Sequence, residues 1–150
     1  MKVPLVKDYP DHHDAELVLK AYELRREPVL RDARRLITID WWPSSLDDLK
    51  AIAAWEHPDN AAFRQVAGYW ELVYGMAYHR IVDAEYLADS AGGEGFILLA
   101  KVFPWLAEFR VATSSPRFLR NTEWIATETP SGRELFGRIH ERIDTIRSKR

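Results

Sequence analysis

Apolar residues recur at steps of three and four along most of this chain, and the longest such stretch runs from Asn60 to Val82. Phe63, Val66, Ala67, Trp70, Val73, Tyr74, Ala77 and Ile81 fall on one helical face. Ala62, Tyr69, Leu72 and Met76 run beside them. Together the two lines cover more than half the circumference, so the pattern predicts a central helix over 60–82, packed on several sides. Arg64, Gly68, Glu71, Gly75 and His79 form the narrow stripe that remains. Its glycines weaken the helix by about 1 kcal/mol each relative to alanine, and they leave grooves for a close neighbour. Pro58 ends what precedes, and Asp59 or Asn60 can cap the start. Asp83 is placed to cap the next helix, which ends the central one near Arg80 to Val82.

The flanking segments follow the same logic. Residues 1–10, with Pro4 and Pro10, read as an extended lead-in. Asp11, followed by Asp14 and Glu16, suits a helix N-terminus. Val18, Ala21, Tyr22, Val29, Ala33 and Leu36 keep one phase across Pro28, which predicts one kinked helix over 11–39. Its outer face carries Arg25, Arg26, Arg31, Arg34 and Arg35 among Glu23, Glu27 and Asp32. Trp41, Trp42 and Pro43 connect it to a helix capped by Ser44 or Ser45, with Leu46, Leu49, Ile52, Ala53 and Trp55 turned to the core. A short helix from Ala84 to Ser90 precedes Ala91-Gly92-Gly93-Glu94-Gly95, read as a turn.

Phe96 to Ala112 is predicted as a second buried helix, faced by Leu98, Leu99, Val102, Trp105, Leu106 and Phe109 and disturbed at Pro104. Ser115-Pro116 opens a helix that runs to Ala126. Thr129-Pro130 restarts the chain, Ser131 with Glu134 makes a capping-box pattern, and Leu135, Phe136, Ile139, Ile143 and Ile146 form the last stripe. Arg147 to Arg150 read as a frayed basic tail. No segment alternates with period two, and no internal repeat is found. The sequence therefore predicts a single all-α domain, an irregular bundle of about seven helices. The helix over 60–82 and Phe96–Ala112 form its core pair.

Composition narrows the function classes. The 150 residues are 47% hydrophobic, which suits one domain with a proper core. A net charge of -2 gives no general attraction to nucleic acid or to an anionic membrane. There is no cysteine, which excludes disulfides and thiolate metal ligands. The most apolar run, Phe96 to Ala107, holds Lys101 and Pro104 and is too short to span a bilayer. No signal-peptide run is present, so the expectation is a cytoplasmic protein without membrane insertion. Six tryptophans imply either large core anchors or an aromatic surface kept for a partner.

Glu71 is the foremost candidate site residue. On an otherwise apolar helix its carboxylate can act as acid or base, with Arg64 two turns before it and His79 two turns after. The competing and stronger reading is a buried structural ion pair with Arg110 or Arg120 from a neighbouring helix. The candidate ligand set is therefore Arg64, Glu71, Gly75, His79 and Arg110, with no catalytic residue, cofactor or metal assigned. His12 and Glu16, spaced i, i+4, could share an ion, but acids favour a first helical turn in any case. His140-Glu141-Arg142-Ile143-Asp144 imitates a zinc-protease pattern with Asp in place of the second His. Gly92-Gly93-Glu94-Gly95 lacks a P-loop ending, and Glu94 would repel phosphate. The Arg faces, with Arg110, Arg117 and Arg120, could track a nucleic-acid backbone, though interleaved acids favour a solvated surface. Trp41-Trp42 is either an exposed anchor for a partner or a corner plug.

The order YWELVYGMAYHRIVDAEYL, a Gly-rich turn, FILLAKVFPWLAEFR, a linker and RFLRNTEWIA resembles a bacterial family of uncharacterised helical proteins. The resemblance covers about residues 60–126. It implies the helical fold and no chemistry. Some members carry a membrane helix ahead of this domain, and no such run appears here. The leading expectation is a non-enzymatic interaction or scaffold domain, with a homodimer or a protein partner held through Trp41 and Trp42. A small-ligand or enzyme pocket at Glu71 and His79 is the alternative, and nucleic-acid binding through the Arg faces is a third.

Overall fold

Several helices in this protein begin where the chain offers a side-chain oxygen to their first amides. In the computed structural model, which describes residues 8–150, α1 (His12–Leu24) starts at Asp11 in a capping box. Asp11 accepts from the amides of His13 and Asp14, and Asp14 accepts in return from the Asp11 amide. Residues 1–7 of the expected lead-in lie outside the described residues. Glu27 caps α2 (Pro28–Arg35), Ser45 caps α3 (Leu46–Ala53) and Asp83 caps α5 (Ala84–Ala91). The remaining helices are α4 (Asn60–Tyr78), α6 (Gly93–Val102), α7 (Leu106–Ala112), α8 (Arg120–Glu128) and α9 (Pro130–Ser148). No strand occurs among the described residues, so the fold is all-α.

Several boundaries differ from the sequence expectation, each for a local reason. Pro28 does not kink one helix. It serves as the first residue of α2, where its missing N–H costs nothing, and Glu27 turns out of helical geometry to cap it. The phase across Pro28 is therefore lost, and Tyr22 and Val29 point to solvent. A π-turn, Leu36–Asp40, ends this arm. Helix α4 stops at Tyr78, and Arg80 follows with φ 61°, so Ile81 leaves the apolar face and is exposed. Phe103–Trp105 tightens into a 3-10 turn around Pro104 and splits the predicted helix into α6 and α7. The glycine segment is no loop: Gly92 joins α5 to α6 directly. Ser115-Pro116 starts no helix; α8 begins at Arg120, after Leu119 in left-handed geometry. Thr129, not Ser131, caps α9.

The core is built around α4, which contacts α2, α3, α5, α6 and α8. Trp70 is 2% exposed and stacks on Tyr74, whose ring in turn meets Phe96 of α6. Helix α6 packs chiefly on α9, through Phe96 and Phe136. The expected core pair, α4 and α6, does meet, through Tyr74 and Phe96, although α8 and α2 flank α4 more extensively. None of the described helices is long and apolar enough to cross a membrane.

Candidate functional site

Helix α8 has no cap of its own. Leu119 stands at its N-cap with φ 54° and its side chain buried in the core, so the first amides of the helix need an acceptor from elsewhere. Glu71 of α4 supplies it. Its Oε1 accepts from the Thr122 amide and the Thr122 hydroxyl, both at 2.7 Å. Its Oε2 accepts from the Asn121 amide at 3.1 Å. The Asn121 side-chain amide then donates to the Glu71 carbonyl at 3.2 Å. A carboxylate at a helix N-terminus also meets the positive end of the helix dipole. This contact explains Gly75: a Cβ there would lie 2.8 Å from Asn121 Nδ2.

The expected Arg partner of Glu71 is therefore replaced by the end of a helix. Arg110 pairs instead with Glu123 at 2.9 Å and donates to the Phe118 carbonyl. Arg120 lies over the Tyr78 ring. His79 caps the C-terminus of α4 on the surface. The stripe does not converge on one pocket. Glu71→Gln should cost about 1–2 kcal/mol, because it turns one acceptor of a helix cap into a donor. Denaturant melts measure the loss, and hydrogen exchange should quicken at Asn121 and Thr122. Unchanged stability and exchange would contradict the capping role.

Arg64 and Gly68, from the same stripe, line a different feature. An open groove of about 380 Å³ runs between α2 and α4, lined by Glu27, Leu30, Arg64, Gln65, Gly68, Tyr69 and Leu72. A Cβ at Gly68 would meet nothing, so this glycine keeps no neighbour close and opens the groove. Leu72 is 72% exposed at its edge. Trp55, expected in the core, is 77% exposed and carries the Arg64 guanidinium 4.0 Å above its ring. It falls outside α3, which ends at Ala53, so the helical phase no longer directs it inward.

Two charge sites, one buried and one half-buried, are not indicated by the sequence pattern. Lys101 is fully buried, and its Nζ donates to the carbonyls of Ile37, Thr38 and Trp41 at 3.0, 2.8 and 2.6 Å. It closes the end of the π-turn, with the Trp42 ring 4.1 Å away. Burial, then the nearby Arg150 and Arg147, bring its pKa down from 10.5 to about 7. Lys101 does stand one turn after Leu98 and one before Trp105 on an apolar face, but that spacing names no partner. Glu94 is the second. It receives Arg25 at 3.1 Å and a two-pronged hydrogen bond from Arg34. Only the packing of α6 against the first arm of the chain reveals it.

The other candidates resolve separately. Trp41 meets Phe63 edge-on, and Trp42 donates to the Ile39 carbonyl at 2.8 Å, so this half-buried pair plugs the corner over Lys101. No group of three or more His, Asp or Glu able to hold a metal occurs among the described residues. His13 sits 3.9 Å from Glu16, and His140 stacks on Phe136 and lies 3.6 Å from Asp144.

These features define a small all-α domain whose charged side chains close helix ends and join helices. Residues 10–129 match the domain of unknown function DUF4760, and the chain belongs to that family. The match extends the resemblance over 60–126 back to the first helix. It leaves out α9, although Phe136 and Ile143 of α9 enter the same core. No curated protein and no solved structure matches the chain.

Proposed function

We propose that this chain is a non-enzymatic interaction domain that pairs with a second copy of itself across the face where α2 meets α4. One observation carries the reading: exposed apolar side chains, Trp55 and Leu72, stand directly beside an open groove on the same face. A two-fold axis needs such a self-complementary patch, with the protruding group of each copy facing the recess of the other. The rim charges agree with it. Glu27 and Arg64 line the same groove, so a two-fold arrangement can set each acid against the partner's base. A bare tryptophan beside Arg is also the chemistry of an interface centre. Glu71, the first candidate for proton transfer, is spent on structural hydrogen bonds.

The double variant Trp55→Ala, Leu72→Glu tests this. Neither side chain supports the core, so the fold should persist by circular dichroism. Light scattering should then show a concentration-dependent dimer for the wild type and a monomer for the variant. An unchanged mass distribution in the variant would place any self-association elsewhere.

A further inference from the structure

Gly68 is an exposed residue of α4 that works against its own helix. Glycine weakens a helix interior, yet α4 runs unbroken past it from Asn60 to Tyr78. Its φ is not positive, so the backbone there does not require glycine. A Cβ would meet nothing within the chain. Gly75 on the same helix is accounted for by Asn121, and Gly68 has no such neighbour. Gly137 of α9 is open too, but it stands among the exposed charges of Arg133, Glu134 and Glu141. Around Gly68 the exposed residues of α4 are Ala61, Arg64, Gln65 and Leu72, and only Arg64 is charged.

What flanks Gly68 is matched about it. Four residues before it, Arg64 is held in place. Its Nε donates to Asn60 Oδ1 at 2.8 Å, and its guanidinium lies 4.0 Å above the Trp55 ring. Four residues after it, Leu72 stands 72% exposed. Each lies about 6 Å from Gly68 along the helix axis. A two-fold axis across α4 at Gly68 therefore carries Leu72 of one copy onto the Arg64–Trp55 platform of the other, and the reverse. The two features complement each other, which is what an isologous contact requires. A different partner would gain nothing from their equal spacing. Side chains at a helix contact hold the axes about 8–10 Å apart, and a glycine at the crossing lets the backbones come closer. The apolar groups on either side can then meet.

We infer that α4 crosses α4 of the second copy antiparallel at Gly68, with Leu72 of each copy seated on Trp55 and Arg64 of the other. This rests on the self-pairing proposed above and fixes its partner element and register. Gly68 is then the residue that sets how closely the two copies approach.

Two measurements on the full chain test it, beside the sedimentation of the unmodified protein. Gly68→Gln puts a polar, helix-forming side chain at the crossing. It should leave the far-ultraviolet spectrum unchanged and hold or raise the denaturant midpoint of the dilute protein, since a Cβ meets nothing in the single chain. The dimer dissociation constant should rise roughly tenfold or more. The second measurement uses the absence of native cysteine. Arg64→Cys and Leu72→Cys chains, mixed and mildly oxidised, should form a disulfide-linked heterodimer, because the crossing sets these two positions side by side. Each chain alone should cross-link more slowly. The same position in the two copies is then about 12 Å apart along the axis, beyond the roughly 7 Å Cα separation that a disulfide bridges. A wild type that stays monomeric overturns the inference together with the self-pairing. A wild-type dimer overturns the crossing alone if Gly68→Gln pairs equally well, or if the mixture cross-links no faster than the single variants.

Discussion

Trp70→Ala should destabilise the protein by about 3–5 kcal/mol, the cost of deleting a large aromatic from a packed core. The indole is 2% exposed, stacks on Tyr74 and meets Tyr69 edge-on. Tyr69 and Tyr74 are themselves fixed at the far ends, by hydrogen bonds to the carbonyls of Ala21 and Ala91. The ring cluster therefore cannot collapse into the space without breaking those bonds, which places the cost at the upper part of the range. One offset exists, because the variant also removes the unpaired Nε1. Urea or guanidinium melts give the value. A loss below about 1 kcal/mol would mean that the face of α4 is misassigned.

Lys101→Met should cost about 2–4 kcal/mol, because methionine fills the space but leaves the Ile37, Thr38 and Trp41 carbonyls without their donor. Some of these will find water as the π-turn loosens, which limits the loss. The wild type should also show a pH signature that the variant lacks. Lys101 has a folded pKa of about 7 against 10.5 in the unfolded chain. Between those values the unfolded chain holds the extra proton, so stability rises with pH across that window. Below about 7 both states are protonated and this group adds no slope. The stability gap between wild type and variant should therefore be wider at about pH 9 than at about pH 6. Denaturant midpoints at the two values measure it, and a gap that narrows as pH rises would contradict the burial of this ammonium.

The parts of the fold that were legible in the sequence are those decided within a turn of helix. Asp11, Ser45 and Asp83 cap where their positions indicate, and the α4 face from Phe63 to Ala77 is buried as its spacing requires. What stayed hidden depends on two distant segments meeting. The sequence marks Glu71 as a carboxylate needing a partner, but the partner is a helix end fifty residues away, created by the left-handed turn at Leu119. Side-chain statistics favour an Arg for such a role, and nothing local marks Leu119 for positive φ. Pro28 misled for the opposite reason. An apolar phase that survives a proline can belong to two helices, and Glu27 decides the matter by capping the second. Helical phase alone places Trp55 toward the core, but α3 ends at Ala53, before it. The exposed Trp55 belongs instead to the face on which the proposed interface rests.

Sedimentation equilibrium of the unmodified chain tests the interaction reading most directly. The account predicts an average mass that climbs from the monomer value of 17.4 kDa toward twice that as concentration rises, and that fits a single monomer–dimer equilibrium. A mass that stays at 17.4 kDa over the whole accessible range would contradict it.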